Sequence, residues 1–283
     1  MKVFYNDNYV NCDNNSDTTR KSQFIADSFD TNPIYGSDVI DPLTVVDIDI
    51  VNNLIRSAHS KKYVNAVIDG KPEMLASSNG LLWDPNLYTM ASNHIAGMVA
   101  ATTDAMENGR SISLSSGLHH ASKNEGAGFC TFNGVAISVM TSMMMGAKNV
   151  LILDFDAHCG GGTYDILGHM DNILQTDVYV SAFDIYEDFD NNFLVDGNNG
   201  YLEAIEFALA ESAGDWDFIV YNAGVDPVNC GISFDEVMAR EELVSDFVKD
   251  TPCAISIAGG YTWGGVTMQE IVDLHRNTIA KLA

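Results

Sequence analysis

Val150, Leu151, Ile152 and Leu153 are four apolar residues in a row, and Asp154, Asp156 and His158 follow them at alternate positions. An unbroken apolar run of this length reads as a strand buried on both faces, which is how strands sit in a parallel sheet covered by helices. Side chains two apart on a strand point the same way, so residues 154, 156 and 158 converge at its carboxyl end. Three ionisable groups there are costly unless a cation satisfies them. The competing reading is a strand that simply ends in solvent on an acidic loop. Other segments of the chain weigh against it.

From about residue 86 the chain alternates short β-rich runs with longer stretches of helical period, the pattern of an α/β fold with a parallel sheet. The expected strands are Ser111 to Ser115, Val150 to Phe155, Val178 to Ala182, Phe218 to Asn222 and Ala254 to Ala258. Ser233 and Glu236 form a capping-box pattern ahead of a helix, and Val266 to Leu282 reads as a closing helix. The Asn/Asp-rich stretch from Asn11 to Asp17 reads as a surface loop. With no repeat or linker to split it, the chain is expected to form one domain over residues 1–283. In open parallel sheets, sites form beyond the carboxyl ends of the strands. Four polar clusters fall there: Gly117 to His120, Asp156 with His158, Gly224 to Asp226, and Gly259 to Tyr261.

Asp156, His158 and Asp226 make a plausible set of three ligands for zinc or a similar divalent ion, with positions left open for water and substrate. Asp226 before Pro227 is also an ordinary turn signal. The adjacent His119 and His120 suit proton acceptance and donation beside one water. Asp154 is the natural carboxylate to orient one of them, or is itself a ligand. Tyr261, after two glycines, could offer a hydroxyl to a developing oxyanion, although Gly-Gly-Tyr alone is more often a plain turn. His59, His94, His169 and His275 each stand alone and read as packing or solvent-facing residues.

Acidic residues outnumber basic ones 39 to 14, which disfavours direct nucleic-acid binding or an anionic membrane surface and favours cationic substrates. The five cysteines are scattered without a C-x-x-C, which fits a reducing cytoplasm. Neither a signal peptide nor a membrane-spanning stretch is expected.

The segments GLHHASKNEGAGFCTFNG, VLILDFDAHCGGGT, NAGVDP and AGGYTW occur in the order and spacing of the zinc-dependent histone deacetylase and acetylpolyamine amidohydrolase superfamily, which this chain resembles along nearly its whole length. The resemblance implies a three-layer arginase/deacetylase fold with a parallel sheet of about eight strands. It implies one catalytic zinc on Asp156, His158 and Asp226, His119 beside Asp154, His120 as general base and acid, and Tyr261 at the oxyanion. Phe129, with Gly128 before it, matches an aromatic wall of the acyl-lysine channel. A potassium ion near the Asp154 to His158 backbone, with Ser181 contributing, is a further family feature. The implied reaction is hydrolysis of an acyl-lysine or acetylpolyamine.

Two departures stand out. Cys159, Gly160 and Gly161 replace the family's histidine, glycine and Asp or Asn, so the carboxylate or amide partner of His120 is expected to be missing and turnover to be slow. Ala258 takes the place of one glycine before the tyrosine, which narrows the backbone there. A non-catalytic binding protein is one alternative. An arginase-like dimanganese ureohydrolase is another, weakened because residues 159–161 supply no bridging carboxylate.

Overall fold

The computed structural model describes residues 1–13, 17–187 and 191–283. Its strands are β1 (Lys2–Phe4), β2 (Asp38–Ile40), β3 (Arg110–Ser113), β4 (Val150–Asp154), β5 (Ile173–Tyr179), β6 (Asn192–Asp196), β7 (Phe218–Gly224) and β8 (Cys253–Ala258). They form one sheet in the order β2-β1-β3-β8-β7-β4-β5-β6, with every neighbouring pair parallel. This is the eight-stranded parallel sheet that the sequence implied.

Helices cover both faces, which explains why the central strands are apolar without alternation. Leu151, Leu153, Ile219 and Tyr221 pack with α1 (Asp17–Thr31), and with three later helices described below. Val150, Ile152, Phe218 and Val220 pack on the opposite side. That second layer holds α2 (Ile48–Ala58), α3 (Lys61–Asp69), the short α4 (Glu73–Ala76), α5 (Leu87–Asn108), α6 (Gly134–Met144) and α7 (Gly161–Leu167). The first layer is completed by α8 (Tyr201–Glu211), α9 (Phe234–Phe247) and α10 (Met268–Leu282). Ser233 and Glu236 close the expected capping box of α9, and Thr267 and Glu270 form a second one at α10. No helix among the described residues is long and apolar enough to cross a membrane.

Three expectations need correction. The strand placed at Val178 to Ala182 begins at Ile173, where Gln175, Thr176 and Asp177 break the apolar run. It ends at Tyr179 because the N–H groups of Val180 and Ser181 turn to the Ala157 carbonyl. Strands β1, β2 and β6 lie at or beside the sheet margins, too short or too polar to display an apolar run. The closing helix starts at Met268, with Thr267 as its cap rather than its second residue. Of the expected loop over residues 11–17, Asp17 opens α1, and residues 14–16 lie outside the described residues.

Candidate metal centre and active site

Five adjacent strands deliver the site. Beyond β4, Asp156 and His158 meet Asp226, which heads a 3-10 turn (Asp226–Cys230) after β7. His158 Nδ1 lies 3.1 Å from Asp156 Oδ1 and 3.2 Å from Asp226 Oδ2. The three ligand atoms lie within 4.8 Å of one another, and both carboxylates are buried. Asp226 Oδ1 accepts from the Ala157 N–H at 3.0 Å, whereas its buried Oδ2 has no aligned donor. A buried carboxylate oxygen without an aligned donor, beside a second carboxylate and an imidazole, is part of a ligand set that a divalent cation satisfies. Burial and the neighbouring Asp156 charge raise the Asp226 pKa. Burial alone would lower the His158 pKa, but contacts with the two carboxylates outweigh it and push it up to about 11. A proton on His158 thus balances charge where a metal ion would otherwise do so.

The histidine pair stands in the loop after β3, rings 3.8 Å apart, and lines a cleft with Gly128, Phe129, Asp156 and Tyr261. His119 Nδ1 bonds Asp154 Oδ2 at 2.9 Å. Burial would lower its pKa, but Asp154 and Asp156 push it up to about 10. Asp154 is in turn fixed from the neighbouring strands. Its Oδ1 accepts from Asn222 Nδ2 at 2.8 Å, and Asn222 Oδ1 accepts from Ser256 Oγ at 2.8 Å. Ser113, Ser256, Asn222, Asp154 and Asp177 are successive register partners on β3, β8, β7, β4 and β5, all buried.

His120 is not unpartnered, contrary to expectation: its Nδ1 bonds Asp184 Oδ2 at 2.8 Å. That carboxylate comes from the segment after β5 rather than from position 161. Burial and the His119 charge hold the His120 pKa below its ordinary value, with Asp184 opposing them. A Cβ on Gly128, whose φ is 50°, would fall 2.3 Å from His120 Cδ2, so only glycine lets this loop press on the ring.

Tyr261 and Phe129 face each other with ring centroids 6.1 Å apart, and Trp263 stacks flat on Tyr261 at 4.1 Å. Asn229 holds both backbone polar groups of Tyr261, at 2.9 and 3.1 Å, tying the tyrosine to the turn that carries Asp226. Burial and the charges of Asp226 and Asp156 raise the Tyr261 pKa, so its hydroxyl keeps its proton. Ser181 lies against the β4 loop through its bond to the Ala157 carbonyl.

Beneath the ligands, buried Arg240 of α9 donates to the carbonyls of Phe155 at 2.8 Å and Gly224 at 2.6 Å, and pairs with Glu241. These carbonyls stand one residue before Asp156 and two before Asp226. Asp184, Asn222, Ser256 and Arg240 were not singled out from the sequence. Asn222 and Ser256 interrupt apolar strands, and Arg240 falls on the buried stripe with Val237 and Val244, so each left a signal. Asp184 left none, because only the loop path brings it to His120. Of the isolated histidines, His169 is exposed and the other three are buried; His59 links Ser122 and Asn133, and His94 links Tyr9 and Ser116.

A sequence model of the histone deacetylase domain matches residues 19–220. The chain belongs to the histone deacetylase family. Among its relatives, Histone deacetylase 2 of Arabidopsis thaliana is 26% identical over 246 residues, which cover 79% of this chain and 63% of that protein. A probable deacetylase of Methanothermobacter thermautotrophicus is 27% identical over 206 residues, covering 62% of this chain and 61% of the relative. The chain thus matches less than two thirds of the length of each of these two. The same architecture recurs in the HDA15 HD domain, with a TM-score of 0.80 at 18% identity over 99% of this chain and 88% of that one. It recurs too in an acetylpolyamine aminohydrolase from Burkholderia pseudomallei, with a TM-score of 0.77 at 13% identity over 100% and 98% of the two chains.

Proposed function

We propose that this histone deacetylase family member is a zinc-dependent amidohydrolase that removes an acetyl or other acyl group from an acylated amine such as acyl-lysine or an acetylpolyamine. One observation carries the reading: a cation-ready trio, two carboxylate-backed histidines and a protonated tyrosine converge on one cleft. Asp156, His158 and Asp226 would hold the ion. When bound, it supplies Lewis-acid polarisation of the amide carbonyl and lowers the pKa of water toward neutrality.

The chain's own residues do the rest. His120, fixed at Nδ1 by Asp184, keeps Nε2 free to take a proton from the attacking water and pass it to the leaving amine. His119 is held by Asp154 beside His120, where it can donate toward the developing negative charge. Tyr261 donates its O–H to the oxyanion. Phe129 and Tyr261 flank an acyl chain and exclude water. The surplus of 25 negative charges and the exposed Trp263 favour cationic amines as carriers. The free cysteines fit a reducing cytoplasm as the setting.

Purified protein is expected to hold one zinc per chain and to release the acyl group from members of an acetylpolyamine and acyl-lysine panel, losing activity to a chelator and regaining it with zinc. Zinc-loaded protein that binds a hydroxamate yet frees no acyl group would leave a binding protein instead. His119, His120 and Asp156 form a second group of potential ligands that shares Asp156 with the first, the one observation that bears on a two-metal ureohydrolase, which ranks behind the binding protein. Two ions per chain with urea release would establish it. Tyr261→Phe should lower kcat about 10²- to 10³-fold, equivalent to about 2.7–4 kcal/mol of barrier. Steady-state kinetics on the best panel member checks this, and an unchanged kcat removes the tyrosine from the chemistry.

A further inference from the structure

His120 is enclosed on several sides. His119 lies over its ring, Phe183 meets it edge-on at 4.9 Å, and Asp184 Oδ2 accepts a hydrogen bond from Nδ1–H. Asp184 is one of the two non-glycine residues with positive φ among the described residues, at 59°. A turn of that hand aims its carboxylate back at the histidine pair. The same Oδ2 accepts from the Gly162 N–H at 3.2 Å, and α7 has no capping side chain of its own.

Gly161 explains how this carboxylate gets in. It is the first residue of α7 and its φ is not positive, so its backbone does not call for glycine. Space does. A Cβ there would lie 2.4 Å from Asp184 Oδ1 and 2.5 Å from the Asp184 carbonyl oxygen. Any side chain at 161 would therefore displace the segment that reaches His120. The position where the family resemblance implied a carboxylate or amide is the one that must be bare for Asp184 to reach His120.

We propose that Asp184 is the positioning residue for proton transfer in this enzyme. The carboxylate that holds His120 in its Nδ1–H tautomer has moved from α7 to the loop after β5, and Gly161 is the vacancy that admits it. The inference rests on the deacylase reading above. Its consequence is that the imidazole has the carboxylate partner whose absence was the ground for expecting slow turnover.

Asp184→Ser tests the role directly. Serine is one atom shorter and places no oxygen where Oδ2 stands, so it removes the bond to His120 together with the one to the Gly162 N–H, whereas asparagine can keep both. In the zinc-loaded enzyme kcat should fall about 10- to 100-fold with KM within about twofold. In the metal-free protein, the downfield imidazole proton resonance that His120→Gln deletes should also vanish in Asp184→Ser. Asp184→Asn keeps an acceptor for Nδ1–H, so it should retain that resonance and recover part of the lost kcat. Gly161→Ala should behave like Asp184→Ser. If Asp184→Ser keeps both the wild-type kcat and the resonance, Asp184 is only a helix cap and the proposal fails. If wild-type protein with zinc hydrolyses nothing on the panel, the deacylase reading fails, and the resonance alone still decides whether Asp184 holds His120.

Discussion

Asp226→Ala is expected to lose its zinc on dialysis and to hydrolyse acylated amines roughly 10³-fold more slowly or worse. The bound ion is asked for several kcal/mol of charge stabilisation, and each 1.4 kcal/mol is a factor of ten. Asp226 is the sharpest probe because its two oxygens are divided between tasks. Oδ1 is occupied by the Ala157 N–H, while Oδ2 is buried and without an aligned donor, so only the second is available to an ion. Equilibrium dialysis against zinc, with turnover on the same samples, measures both effects. A variant that keeps stoichiometric zinc and wild-type turnover would show that the three residues are not the binding site.

Arg240→Met is expected to cost about 3–5 kcal/mol of folding stability, read from urea unfolding. Removing one member of a buried ion pair leaves the other charge without compensation. Glu241 would keep only the Tyr221 and Thr278 hydroxyls, and the carbonyls of Phe155 and Gly224 would lose their donor. Arg240→Met with Glu241→Leu should recover much of that loss, since apolar replacements of a whole buried pair are often neutral. The double variant should still bind zinc about 10- to 100-fold more weakly, because the backbone that carries Asp156 and Asp226 is no longer tethered from below. A stability loss under about 1 kcal/mol in the single variant would mean that Arg240 is not the tie described here.

The sheet was legible where burial on both faces writes itself as an apolar run, as in β4, β7 and β8. It was illegible at β1, β2 and β6, whose pairing depends on neighbours far away in sequence. Strand alternation pointed to Asp154, Asp156 and His158, although β4 ends at Asp154 and a bend after it carries the other two. Asp226 and Tyr261 were reachable only through the rule about strand ends together with the family likeness. Asp184 lay outside both kinds of reasoning. Position 161 was read as a lost carboxylate, whereas a side chain there would collide with Asp184, which arrives from the loop after β5.

The row of Ser113, Ser256, Asn222, Asp154 and Asp177 also bears on how the chain finds its pairing. Val150 to Leu153 would be equally content one step up or down, since uniformly apolar strands carry little information about alignment. A slipped strand would bury an aspartate or asparagine against aliphatic side chains, at a penalty of roughly 1–3 kcal/mol for each unsatisfied group. The polar row thus works like a notch filed across five adjacent rods. Polar residues that hold Asp154 in place beneath the candidate site also disqualify misaligned competitors during assembly.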